Sequence, residues 1–445
     1  MELTKIILII CDGMSDRRIE SLGNKTPLEY AKKPNFDNIA KMGITGVLDI
    51  LSPGVPPGSD AGHLSILGFD LEKYYPGRGP IEALGADLPV KEGSLACRFN
   101  FGTVYEKQGR SGLTLTVKDR RAGRISSSEA KLLTEYLQSK IGEIAGVKIK
   151  IIPNLEHRGI LALEGENLSS EVTDSDPHEI NMCVNKCEPT LPSRNLPAAQ
   201  RTAEIINSVV KKSYQLLKDH PINKDRVKKS LLPANIILPR GAGFVKKIEP
   251  FSKVWGVKAA CVAKLALYRG VARYIGMDVY DVEQATGDVN TNVEAKFRKA
   301  LELLETYDFV FVHIKGADSA SHDKKPLLKV KMIEKIDSAL KIIIDNLIIP
   351  RKAVVAITSD HSTSSELGIH IGDPPAIVIA ASDIVVDDVS RFTEKDVLKG
   401  GLGRMKSINL MSVLLNYASR AMEFGLRPSR EIRLYRSDEC TNLII

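Results

Sequence analysis

Residues 5–11, KIILIIC, run apolar almost without interruption and stop dead at Asp12. A half-buried strand alternates polar and apolar positions. A run without alternation fits a strand covered on both faces, as in a parallel sheet. Two more such runs lie far downstream, at 308–314 (DFVFVHI) and 353–359 (AVVAITS), and a fourth, 376–381 (AIVIAA), follows soon after. Between them, residues 325–347 carry Leu328, Met332, Ile333, Ile336, Leu340, Ile343 and Ile344 on one helical face, ahead of the breaker Pro350. Strands that alternate with helices predict an α/β fold, with a mostly parallel sheet and helices on both faces.

The middle of the chain reads differently. Short alternating strands (112–117, 147–152) and two polar helices (126–141, 198–218) predict an inserted α+β domain. The expected organisation is a core domain of residues 1–87 and 233–445 interrupted by an inserted domain, 88–232. After the insertion, 235–238 (NIIL) and 258–275 are expected to resume the core.

At 445 residues, two or three domains are expected, at about 150 residues each. The chain is 43% hydrophobic and 26% charged, so a large core needs neither disulfides nor a structural metal. No apolar run approaches the roughly 18 residues of a membrane span, and Asp12 interrupts the stretch through which an apolar secretory core would have to run. The net charge of +7 is spread along the chain and aromatics are only 5%, which speaks against a nucleic-acid stripe and for attraction of a small anion. Cysteines at 11, 97, 183, 187, 261 and 440 are scattered, as reduced thiols of a cytoplasmic protein would be. Cys183 and Cys187 are the one close pair and have no second pair to complete a zinc site.

The chemistry is expected where the buried strands end, because open α/β sheets bind ligands outside the carboxyl ends of their strands. The first run ends at Asp12. The later ones lead to Asp318, with His322 four residues on, and to Asp360-His361, with His370 beyond. One aspartate at a strand end is ordinarily a turn former. Three delivered to one edge repel each other unless a cation intervenes, and oxygen with imidazole suits Mn²⁺, Zn²⁺, Mg²⁺ or Co²⁺. Three aspartates and three histidines exceed the needs of one ion and match a pair about 3.5–4 Å apart, of the kind that clamps phosphoryl oxygens.

The motif PPGSDAGH at 56–63 adds a serine, Ser59, behind a rigid turn and at a helix start. Such a serine is either an N-cap or a nucleophile. There is no G-x-S-x-G elbow to activate it, so a cation would have to serve. The helix amino end would add N–H groups for a phosphate.

These stretches resemble the cofactor-independent phosphoglycerate mutases of the archaeal type, in the alkaline phosphatase superfamily. The resemblance runs in order through IILIICDGMSDRR (6–18), PPGSDAGHLSILGFD (56–70), GRGPIEALG (77–85), DRRAGRI (119–125), ILPRGAG (237–243), KAACVAKLALYRGVARYIGM (258–277), DFVFVHIKGADSASHD (308–323), ITSDHSTSS (357–365) and HIGDPP (370–375). It implies an alkaline-phosphatase-like core and an isomerase of glycolysis and gluconeogenesis. That enzyme interconverts 2- and 3-phosphoglycerate through a phosphoserine on Ser59, without 2,3-bisphosphoglycerate. It implies one ion on Asp12, Ser59, Asp360 and His361 and another on Asp318, His322 and His370, with manganese preferred. Asp119, Arg120, Arg121, Arg124 and Lys258 would contact the phosphoglycerate, and the insertion would act as a substrate-binding lid. Arg240 and Arg269 are weaker candidates, and His157 and His178 are read as structural. The core motifs leave open another two-metal phosphatase, phosphodiesterase or phosphopentomutase of the superfamily. A metal-dependent binding protein with a silent site is disfavoured by the intact ligand set. Oligomeric state is not encoded in these motifs.

Overall fold

The computed structural model describes residues 4–109 and 112–423. They form two compact units. One holds the residues up to Tyr75 and from Ile248 onward, the other Pro76–Lys247. The sequence-based bounds, 88 and 232, lie inside the second unit. Cys440 lies outside the described residues. Cys11, Cys97, Cys183, Cys187 and Cys261 are unpaired, and none belongs to a metal-ligating cluster among the described residues. No helix there is long and apolar enough to cross a membrane.

The first unit is built on an eight-stranded sheet. In spatial order its strands are Asp278–Tyr280, Ala259–Val262, Phe309–Ile314, Lys5–Cys11, Ala353–Thr358, Ala376–Ala380, Ile44–Asp49 and Gly403–Lys406. The three runs that end near the aspartates are neighbours, with Lys5–Cys11 parallel to Phe309–Ile314 on one side and to Ala353–Thr358 on the other. Both faces of the central strand are buried, which explains its unbroken hydrophobicity. Ile7, Ile9 and Cys11 join the core built with Phe297, Ile333, Ile336 and Leu340 of the helices Val293–Leu304 and Pro326–Ile343. On the opposite face Phe309 packs on Phe251 and Phe311 on His63. Ala376–Ala380 alone runs against its neighbours. The chain reaches it through a short hairpin, Ser362–Ser364 with Ile369–Ile371, rather than through a crossover helix, so it returns antiparallel. The long helix after Pro326 ends in a π turn over Ile344–Ile348, just before Pro350.

The second unit has its own six-stranded sheet, antiparallel in every pairing, organised on the long strand Leu95–Gly109. The helices Ser127–Lys140 and Pro197–Leu217 fall where the sequence placed them. The second is less polar than it reads, because Ala203, Ile206, Val209, Val210 and Leu217 form a buried stripe. The apolar stretch at 235–238 does not resume the first sheet. It opens the strand Ile236–Phe244, which pairs with Leu95–Gly109 in the second.

Candidate metal centre and nucleophile

Asp12, Asp318 and Asp360 follow three adjacent parallel strands and meet at their carboxyl ends, each with no measurable exposure. Gly13 turns the chain directly after Asp12, with φ at +61°. A β-carbon there would also lie 2.5 Å from Thr363 Oγ1 and 2.8 Å from the Asp318 side chain, so the position requires glycine on both counts.

Ser59 begins the helix Ser59–Ile66. The N-cap is Gly58, which makes no side-chain cap bond, so the hydroxyl is not spent on capping. Ser59 Oγ lies 3.1 Å from His361 Nε2. Gly62 lets the helix reach the strand end, since a β-carbon there would sit 2.6 Å from the Asp360 carbonyl oxygen. His361 Nε2 is 3.2 Å from Asp360 Oδ2 and 3.5 Å from Asp12 Oδ1. A second cluster lies beside the first. His322 Nε2 is 3.3 Å from Asp318 Oδ2, and His370 Nε2 is 3.6 Å from Asp318 Oδ1. The His361 and His370 rings stack at 3.6 Å.

The hydrogen bonds behind the histidines aim them. His322 Nδ1 donates to the Gly368 carbonyl and His370 Nδ1 to the Pro57 carbonyl, each at 2.8 Å. Carbonyls only accept, so each neutral ring keeps its proton on Nδ1 and turns an Nε2 lone pair toward the aspartates. Those two lone pairs face each other at 3.2 Å. Neither oxygen of Asp360 receives a hydrogen bond from the described residues. Facing lone pairs and an unbonded buried carboxylate are costly without a cation between them, so the donor set fits divalent metal. Asp12, Asp360 and His361 bring ligand atoms within 4.8 Å of one another, as do Asp318, His361 and His370. His361 thus stands within reach of both clusters.

Burial alone would raise all three carboxyls, but neighbouring charges and hydrogen bonds prevail. Lys315, His313 and His361 hold Asp12 well below the usual carboxylate range. Asp318 is also lowered, chiefly by Lys315, and Asp360 by His361 and His63. The three carboxyls thus favour their ionised form, and Asp12 and Asp318 share one lysine. Lys315 Nζ bonds both Asp12 oxygens at 3.1 and 3.2 Å. His313 Nε2 holds Asp12 Oδ2 at 2.9 Å beneath the Tyr268 ring. Burial pushes His313 down to about 3, so it stays neutral and donates from Nε2. His63 Nδ1 sits 2.6 Å from the Ser59 carbonyl oxygen and 3.3 Å from Asp360 Oδ2. None of Lys315, His313, His63 or Thr363 was singled out from sequence. The signals present were Lys315 one helical turn before Asp318 and His63 one turn after Ser59.

The expected substrate residues are divided. Asp119 Oδ1 accepts the N–H groups of Arg121 and Gly123, which makes it a turn former. Arg120 forms a fork-to-fork pair with buried Asp176, at 2.8 and 2.6 Å. Arg121 and Arg124 are exposed. Within the same unit Arg240 reaches Asp176 at 3.2 Å, and Arg98 and Arg78 share Glu82. His157 is pushed down to about 3, first by burial and then by Arg158, Arg121, Arg98 and Arg240. His178 bonds Asp174 at 2.9 Å. Lys258 does not approach the metal centre. It precedes Ala259–Val262 at the amino end of the sheet, where its carbonyl accepts from Asp308 and Phe309 and its ammonium lies over the Tyr307 ring. The aspartates leave the other end.

The family model described as 2,3-bisphosphoglycerate-independent phosphoglycerate mutase matches residues 40–223. The chain is 47% identical to the mutase of that name from Ignicoccus hospitalis, over 96% of this chain and all of the relative. It is 43% identical to the one from Methanopyrus kandleri, over 95% and 98%. Among solved structures it is similar to a Pyrococcus horikoshii protein, with a TM-score of 0.79 at 37% identity, covering 96% of this chain and all of that one. It is also similar to the cofactor-independent phosphoglycerate mutase of Thermoplasma acidophilum, with a TM-score of 0.63 at 35% identity, covering 94% and 100%. Near-complete alignment at this identity leaves one assignment: the chain belongs to the family of archaeal-type 2,3-bisphosphoglycerate-independent phosphoglycerate mutases.

Proposed function

We propose that the chain interconverts 2-phosphoglycerate and 3-phosphoglycerate, as a cytoplasmic enzyme of glycolysis and gluconeogenesis, through a phosphoserine on Ser59. The observation that carries the reading is the Ser59 hydroxyl. It is buried, uncommitted to its helix cap, and 3.1 Å from an imidazole Nε2 among three buried carboxyls. Asp12, Ser59, Asp360 and His361 would hold one divalent ion and Asp318, His322 and His370 the other. Manganese is the preferred ion, and magnesium, zinc or cobalt are alternatives. Bound there, the ions would neutralise phosphoryl oxygens and favour the ionised serine.

The chain's own groups do the rest. Ser59 Oγ attacks phosphorus in line, and its new bond forms as the bond from phosphorus to the glycerate oxygen breaks. The other hydroxyl of the retained glycerate then attacks phosphoserine and releases Ser59. The first backbone N–H groups of Ser59–Ile66 face the transferring group with the positive end of the helix. Lys315 adds a cation beside Asp12 and Asp318. Loss of glycerate between the two steps would turn transfer into hydrolysis. We assign its retention to the inserted domain, 88–232, with exposed Arg121 and Arg124 as carboxylate forks and Arg120 and Asp119 fixing the loop that presents them.

An enolase-coupled assay of manganese-loaded protein tests this, with a generic phosphate ester run in parallel. Ser59→Ala is expected to keep its fold, by circular dichroism, and to lose mutase turnover. Wild-type turnover in that variant would exclude the phosphoserine. Ester hydrolysis without mutase activity would point to a phosphatase of the same chemistry.

A further inference from the structure

We propose that Thr363 is the positioning residue shared by the two ion sites, its single hydroxyl fixing Asp318 and His361 at once. The inference rests on the two-ion reading above. A threonine hydroxyl carries one proton and two lone pairs. Its proton goes to Asp318 Oδ1, at 2.8 Å. Its contact with His361 Nδ1, at 2.9 Å, must then be an N–H donated by the imidazole. In the neutral ring that a metal ligand must be, that choice leaves the lone pair of His361 on Nε2, the atom that faces Ser59, Asp12 and Asp360. The hydroxyl therefore sets the rotamer of one carboxylate and the tautomer of one imidazole, and the two belong to different ions.

Thr363 is itself clamped. Its N–H donates to the Ser15 carbonyl at 3.0 Å, and its carbonyl accepts from Lys329 Nζ at 2.8 Å. Across the hairpin it pairs with His370, so a third ligand is registered against the same residue. Lys329 is fully buried and is paired with Asp16 at 3.0 Å. Asp16 in turn accepts from the N–H and hydroxyl of Ser365. A buried ion pair is costly to assemble, and this one is spent on holding a backbone carbonyl behind the centre. Gly13 supplies the space for the hydroxyl.

The test is calorimetric titration of metal-stripped protein with Mn²⁺, for wild type, Thr363→Val and Thr363→Ser, with bound manganese counted by electron paramagnetic resonance. Wild type is expected to take up two ions. Valine keeps the shape and removes the hydroxyl, and is expected to weaken both steps by about 10- to 100-fold, the usual effect of losing a group that orients a ligand. Serine is expected to restore most of the affinity. If valine does not fold, Thr363→Ala takes its place in the titration. Wild-type affinity without the hydroxyl would overturn the inference. So would weakening of one step alone, or a serine variant as weak as valine, which would trace the effect to the methyl group. A wild-type protein that takes up no manganese would overturn the two-ion reading, and the inference with it.

Discussion

Replacing Glu394 by glutamine is expected to stabilise the first unit above neutral pH and to leave it unchanged in mild acid. Glu394 Oε1 accepts from the Asp16 N–H at 3.0 Å and Oε2 from the Thr26 hydroxyl at 2.6 Å. Burial pushes its carboxyl up to about 7 from an ordinary 4.5, against the pull of those bonds and of Lys329. Between these two values the folded protein holds a proton that the unfolded chain has released, so stability falls as pH rises through the window. Once the group is charged, the full cost is about 3 kcal/mol as a ceiling, and partial exposure of the residue reduces it to ~1–2 kcal/mol. Glutamine keeps an acceptor for the Asp16 N–H and offers its amide to Thr26 without the charge. At pH 8 the variant is expected to melt higher, by about 2–4 °C for each kcal/mol. At pH 4.5 and below the two proteins should coincide. Melting followed by circular dichroism from pH 4.5 to 8.5 measures the difference. A gap that does not change with pH, or a variant less stable at pH 8, would refute the argument, since it would show that Glu394 carries no raised proton affinity.

Lys258→Met is expected to leave mutase kcat and KM within about twofold of wild type, because the residue sits at the amino end of its strand; a large rise in KM would return it to the substrate site. Gly13→Ala is expected to cost about 1–2 kcal/mol from the left-handed backbone alone and to weaken manganese binding by displacing Thr363 and Asp318. Equilibrium denaturation and the same calorimetric titration would show both effects, and wild-type behaviour in either would contradict the close approach at that turn.

The candidate metal cluster was legible to the extent that its residues sit at the ends of strands whose burial on both faces erases alternation. Asp12, Asp318 and Asp360 were found that way, before any resemblance was used. The allocation of ligands to ions was not, because spacing along the chain does not say which imidazole faces which carboxylate. His63, His313 and Thr363 escaped because their role lies in one hydrogen bond to a partner hundreds of residues away or across a turn. Only tertiary structure fixes that bond. The stretch NIIL at 235–238 shows the converse limit. An apolar run declares that it is buried, not in which sheet, and this one pairs with Leu95–Gly109. Lys258 precedes an apolar strand that runs parallel to Phe309–Ile314, so its place at the amino edge of the sheet was readable from order alone.

The central strand of the first sheet has a consequence for how the protein is made. Lys5–Cys11 is translated before either of its two neighbours, Phe309–Ile314 and Ala353–Thr358, which come after the whole of the second unit. Until those neighbours are made, this strongly apolar segment waits with both edges unsatisfied, while Pro76–Lys247 can close its own antiparallel sheet in the meantime. A nascent chain stalled before residue 309 therefore holds a finished second unit tethered to a sticky, unpaired strand.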